Sequence, residues 1–283
     1  MVLISPRFAS NLRLQNAASN LAPLMRGAND IAVHLLQMAL IDLGVKLPRS
    51  TGRARSPDGI FGAETEAAIK QFQSDHRLKP DGKVGTDTMT VIDSLFPADT
   101  HRVRLHFRSL ALTDVPFNTL LNNAAACYRQ YGIDMRFGSG ESLLLTAEQE
   151  EKFKRIDQKC DWDLDSGEFD ELQSLGTRAP KNDILVYFVV TFMETNLLGC
   201  GGHAKDRPAC TLAKRCNGFD PAHEIGHVLL GSAFVHNDNP ANSVHSSDKG
   251  NLMFAFSSNR TVVPVLTDSQ LAQMRKSPIC RKI

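Results

Sequence analysis

From Ile31 the apolar positions Val33, Leu35, Leu36, Met38, Leu40 and Leu43 recur at helical spacing and stop at Gly44, which predicts a helix closed by glycine. Pro48 to Asp58, rich in Arg, Gly and Pro, reads as a basic loop. A second helix is predicted from Glu64, with Ala67, Ala68, Ile69 and Phe72 as its apolar stripe, and a third over Thr86 to Leu95. Met1 to about Gly27 has weak periodicity and no strong caps, and reads as a partly ordered leader. Past Pro97-Ala98-Asp99 the period changes: Val103, Leu105 and Phe107 alternate with Arg102, Arg104 and His106, the pattern of a half-buried strand. Phe117 to Tyr131 then reads as a helix, Met135 to Phe137 as a short strand, Thr146 to Ile156 as a helix and Asp183 to Met193 as a buried central strand. The order predicts an α+β chain: an arm over 1–26, a small all-α three-helix domain over 27–96, a linker over 97–102 and a larger domain over 103–283.

Composition narrows the partners. With 283 residues, 42% hydrophobic, 22% charged and a net charge of +1, the chain is neither a disordered tail nor a strongly basic nucleic-acid binder. The longest apolar stretch, Ile184 to Met193, is far short of the roughly 20 residues of a membrane span. Met1 to Arg26, broken by Arg7 and Arg13, has no secretory-signal pattern. All six cysteines (127, 160, 200, 210, 216 and 280) lie in the larger domain and fit no zinc-finger spacing. In an oxidising compartment they would allow three disulfides, and in a reducing one they would be buried thiols.

Two copies of Asp-Gly-x-φ-Gly-x-x-Thr, Asp58 to Thr65 and Asp81 to Thr88, lie 23 residues apart. Each predicts a tight glycine turn entering a helix, with Asp or Thr able to cap backbone donors. Phe61, Phe72 and Val84 suit the core, and exposed polar groups near the turns suit ligand contact. Together with Leu36-Gln37, Leu43-Gly44, Ala-x-x-x-Phe72-Gln73 and Leu78, this series resembles the three-helix peptidoglycan-binding domain. That resemblance implies a noncatalytic module docking cell-wall peptide stems. Similar modules also occur as prodomains of matrix metalloproteinases.

Asp220 to Gly231 (DPAHEIGHVLLG) has helix start and stop signals, with Asp220 as the expected N-cap and Pro221 in the first turn. His223 and His227, four apart, share one face and can hold one metal ion, while Glu224 can reach a water bound to it. This HExxH pattern is identified as that of zinc peptidases, which implies Zn2+ as cofactor and Glu224 as general base. A catalytic zinc needs a third protein ligand and an open position, and His236 and His245 follow. The metzincin pattern puts that ligand six residues past the second histidine, where this chain has Ala233. His245-Ser-Ser-Asp-Lys-Gly-Asn-Leu-Met253 nevertheless resembles the matrixin-like stretch. This resemblance implies His245 as third ligand, His236 as runner-up, Met253 as the Met-turn residue and Phe234 to Val244 as an inserted loop.

In metzincins the region of Leu197 to Ala204 forms the substrate-binding edge, and its glycines would let a substrate strand approach and pair. His203 reads as an exposed loop histidine that could assist an oxyanion or a second metal. No Pro-Arg-Cys-Gly segment for cysteine-switch latency follows the linker. Asp161 to Gly167 mimics half a calcium loop but has Ser166 and Leu172 where Gly and Glu are required, so it reads as a solvated acidic turn anchored by Trp162. Basic residues between Arg53 and Lys83 suit a solvated face or an anionic wall.

The resulting expectation is a zinc metallopeptidase directed to peptidoglycan, acting on protein or peptide and exported to periplasm, wall or exterior, with a secreted antibacterial effector as its narrower form. The alternatives are a hydrolase of wall cross-link peptides, or a noncatalytic wall-binding protein with structural zinc. The absence of cysteine between His223 and Met253 disfavours the last.

Overall fold

The computed structural model describes residues 1–52, 56–156, 168–194, 196–204, 207–256 and 260–283, with the backbone alone at 168–170 and 202–204. Arg53, Arg55, Cys160 and the acidic turn with Trp162 lie outside the described residues. The chain divides into two compact units. One holds Met1–Thr100 with Arg129–Gly132 and Val265–Leu271, the other His101–Tyr128, Ile133–Pro264 and Ala272–Ile283. Among the described residues no helix is long and apolar enough to cross a membrane.

The first unit carries α1 (Leu12–Ala18), α2 (Ile31–Asp42), α3 (Pro48–Thr51), α4 (Ala63–Asp75) and α5 (Thr86–Leu95). The three predicted helices are α2, α4 and α5. The expected leader is instead ordered. Asn11 caps α1, and Leu3, Phe8 and Leu14 are buried. Its weak periodicity reflects short elements anchored singly, as where Asp93 accepts the Ile4 and Ser5 N–H groups. The expected loop opens with the single-turn α3, whose Ser50 and Arg49 N–H groups meet the Glu64 carboxylate.

The Asp-Gly repeat has one explanation in both copies. Gln37 Nε2 donates to Asp58 Oδ1 (2.9 Å), Ile60 O (3.1 Å) and Thr65 Oγ1 (3.0 Å), and its Oε1 accepts from Gly59 N (3.0 Å). Gln73 repeats the arrangement with Asp81 (3.1 Å), Lys83 O (2.8 Å), Thr88 (3.0 Å) and Gly82 N (2.9 Å). Gly59 and Gly82 have φ of +71° and +76°, which glycine adopts without Cβ strain. The two aspartates close Asx turns on Ile60 N and Lys83 N, while the N-caps of α4 and α5 are Gly62 and Gly85 without side-chain bonds. Phe61, Phe72 and Val84 are buried, as core packing requires.

The second unit is built on β1 (His101–Ser109), α6 (Phe117–Arg129), β2 (Ile133–Ser142), α7 (Ala147–Lys152), α8 (Glu168–Ser174), β3 (Ile184–Val189), β4 (Gly199–Ala204), β5 (Arg207–Ala213), α9 (Asp220–Leu230) and β6 (Arg281–Lys282), while α10 (Asp268–Met274) is divided between the units after Leu271. Strand order is β2-β1-β3-β5-β4; neighbours run parallel except the edge strand β4, which is antiparallel to β5. β6 pairs with His101 and Arg102. All six residues of β3 are buried, the continuous apolar run of a strand covered on both faces. On one face Leu185, Tyr187 and Val189 pack with Phe153, Ile156, Leu172 and Phe192. α9 packs on β4 and β5. This α+β architecture with its small helical domain is the expected fold class.

Among the described cysteines, Cys127, Cys210, Cys216 and Cys280 are free and buried, so a framework of three disulfides is not formed; Cys200 is disulfide-bonded. Burial raises the Cys216 thiol to about 12 and the Cys280 thiol to about 11.

Candidate metal centre

All of α9 is buried, because its apolar residues Ile225, Val228, Leu229 and Leu230 alternate at helical spacing with the chemistry-bearing ones. Its N-cap is Phe219, not Asp220. The Asp220 carboxylate accepts the Asn217 N–H at 2.6 Å instead, tightening the turn into the helix. Gly231, with φ of +74°, closes the helix.

The helix presents His223 and His227 to His245, which arrives from the chain beyond α9. His227 Nε2 lies 3.0 Å from His223 Nε2 and 3.2 Å from His245 Nε2. The His223 and His245 rings stack, 11° from parallel, and the His227 ring stands edge-on to both. His223 Nδ1 donates to Leu252 O at 2.8 Å, which leaves the Nε2 lone pair facing the other two rings. Burial drives His223 down to about 3 and also lowers His227 and His245, which favours the neutral imidazole that a metal ligand requires.

Three convergent imidazole nitrogens fit one shared cation. Nitrogens at about 2.05 Å from a tetrahedral zinc are about 3.3 Å apart, close to the two separations here. His223, His227 and His245 form the group able to hold a metal among the described residues. His236 is not in it. It is buried, and its Nδ1 meets Ser243 O at 3.0 Å. The side chain of His203 lies outside the described residues, and its backbone is in β4.

Glu224 shares α9 with the histidines and is 7% exposed. Burial raises its carboxyl well above the ordinary range, the Asp220 charge adds to this, and the Gly201 N–H opposes it. A Cβ on Gly199 would stand 2.6 Å from Glu224 Oε1 and 2.7 Å from Cγ, and one on Gly201 2.9 Å from His227 Cβ. These glycines are therefore required first by the approach of β4 to α9. Met253 is fully buried, and a Cβ on Gly226 would lie 2.5 Å from its sulfur, so Gly226 makes room for Met253 against the histidine helix.

Sequence reasoning missed the supporting groups. Leu252 O orients His223, Asn251 Oδ1 receives Met253 N at 2.8 Å, and the Tyr128 hydroxyl donates to Ala222 O at 2.7 Å. A carbonyl has no residue-type signature, while the buried Asn251 beside Leu252-Met253 was the available clue.

In the helical unit, the end of α2 and the adjoining faces of α4 and α5 form a groove of about 250 Å³, whose lining includes Leu43, Val45, Phe72, His76 and Leu95. It is lined by these helices and not by the Asp-Gly turns.

Residues 29–92 match the family model of the peptidoglycan-binding domain. Among solved structures the chain is similar to metalloproteinase-II from Bacteroides fragilis, with 10% identity, a TM-score of 0.43, and coverage of 62% of this chain and 53% of that one. The chain thus spans about half the length of that protein. No relative is found among curated proteins.

Proposed function

We propose that this chain is a zinc metallopeptidase that hydrolyses peptide bonds and is carried to the bacterial wall by residues 29–92. The observation that carries the reading is the convergence of His223, His227 and His245 with Glu224 on the same helix. In this reading the three histidines hold the metal through Nε2, leaving one position for substrate and water. Zinc there would supply Lewis acidity toward the scissile carbonyl and acidify the attacking water. Glu224 takes the proton from that water and passes it to the leaving amine. β4 is an edge strand that borders α9, which supports the reading that an extended peptide would pair along it with its scissile bond near Glu224.

The wall module supports work outside the cytoplasm, on proteins at the wall or on the wall's own cross-link peptides. Incubating the protein with purified peptidoglycan and with a denatured protein, then identifying released fragments by mass spectrometry, separates these substrates. An antibacterial role requires Glu224-dependent killing of a competing strain. Glu224→Ala should keep zinc and fold but lose peptidase activity by about 10²-fold or more; undiminished cleavage refutes the mechanism. Loss of zinc in His236→Ala and not in His245→Ala refutes the ligand set.

A further inference from the structure

The third histidine reaches the centre by a long path. His245 follows His227 by 18 residues, against six in the HExxHxxGxxH arrangement. Closing a flexible segment three times longer disfavours the assembled site by about five-fold. His223 is aimed by its own Nδ1 bond to Leu252 O, but among the described residues nothing meets the buried His245 Nδ1. With no hydrogen bond at Nδ1, the orientation of His245 rests on its ring contacts with His223 and His227 and on its backbone.

The inserted loop supplies that control. Asp238 Oδ2 accepts from Ser246 Oγ (2.6 Å), Ser247 N (3.0 Å) and Ser247 Oγ (3.3 Å), and Asp238 O accepts from Ser247 Oγ (2.9 Å). The two residues that follow His245 are thus clamped by one carboxylate. His236 closes the loop base, its backbone N and its Nδ1 both meeting Ser243 O, and Asn242 O receives His245 N at 3.1 Å. On the other side, Ser246 N donates to Met253 O at 2.9 Å and Ser246 Oγ accepts from Asp248 N at 3.1 Å. Ser246 is 2% exposed, so its own bonds are largely shielded from water, whereas Ser247 is exposed.

We infer that Asp238 is a positioning residue for the metal centre: the inserted loop is a clip whose carboxylate fixes the backbone after His245 and so presets the third imidazole. The inference rests on the metal reading above, and its test separates the two. Zinc affinity is measured by chelator competition for the wild type, Asp238→Ala, Asp238→Asn and the Ser246→Ala/Ser247→Ala double variant, alongside thermal unfolding of each metal-free protein. Asp238→Ala should bind zinc about 10- to 100-fold more weakly, the range for groups that orient metal ligands. The serine double variant should reproduce much of that loss from the other side of the clip. Asp238→Asn, which retains a carbonyl acceptor, should fall between. Metal-free unfolding should change far less than affinity, which a merely structural role would not produce. If the wild type binds zinc and Asp238→Ala and the serine variant bind it equally well, or if affinity falls only in step with metal-free stability, the inference is overturned and the metal reading stands. A wild type that takes up no zinc overturns both.

Discussion

Gly199→Ala isolates the proposed base from the proposed ligands. The three atoms nearest the new methyl all belong to Glu224, at 2.6 Å for Oε1, 2.7 Å for Cγ and 2.9 Å for Cδ. Ordinary contact needs about 3.5 Å between carbons, so the carboxylate must retreat by about 0.6–0.8 Å. The glutamate side chain is flexible, which puts the stability cost at the low end of overpacking, about 1 kcal/mol. For a unit of this size that lowers the melting temperature by about 2–4 °C. Misplacing a reacting group by nearly 1 Å costs about 10²-fold, so activity should fall by that order while zinc content stays at the wild-type level. The assay combines metal analysis, thermal unfolding and hydrolysis of a denatured protein. Full activity in the zinc-loaded variant would refute Glu224 as the base at its observed position, and loss of zinc would show that the ligands, not the base, were displaced. Gly62→Ala, where nothing lies within 4 Å of the new methyl, should leave activity unchanged and cost only what alanine loses to glycine at a helix N-cap, about 0.5–1 kcal/mol.

The helical unit yields two further expectations. Gln73→Leu strands Gly82 N and leaves Lys83 O and Thr88 Oγ1 bonded only to each other, and should cost about 1–3 kcal/mol, read as a lower denaturation midpoint for that unit; an unchanged midpoint would refute the clamp. The Lys83 N–H holds the Asp81 carboxyl below its ordinary 3.8, with Gln73 assisting. A group depressed in the folded state contributes stability above its unfolded pKa, so this contribution should be present at neutral pH and fade as pH falls from about 4 through the folded value. Asp81→Asn should flatten the acid limb of the stability curve, and an identical limb in both proteins would count against the assignment.

What could be read before folding was whatever repeats along the chain or is confined to one element. Helical spacing placed α2, α4 and α5, alternation placed β1, and a continuous apolar run placed β3, because each pattern states directly which face is buried. His223, Glu224 and His227 were legible for the same reason, since four residues make about one turn. His245 became visible only through the resemblance of the stretch ending at Met253, as no local period links residues 18 apart. The leader was misread because its order comes from contacts such as that of Ser5 with Asp93, 88 positions away, which leave no periodic trace. Gln37 and Gln73 show the opposite case. They recur one position after Leu36 and Phe72, and the Asp-Gly motif they clamp was recognised, yet a buried glutamine reads as an unremarkable polar residue until its partners are in place. The glycines of β4 are read from the sequence as room for a substrate strand, and in the fold Gly199 and Gly201 also make room for α9. A glycine reports that something comes close, and only the fold says what. The same reasoning bears on the centre. Two of the three proposed ligands are one helix's own pattern, but the proposed aim of the set depends on Leu252 O, Asn251 and Asp238, groups contributed by chain outside α9, so substitutions there should be felt at the proposed centre despite carrying no motif.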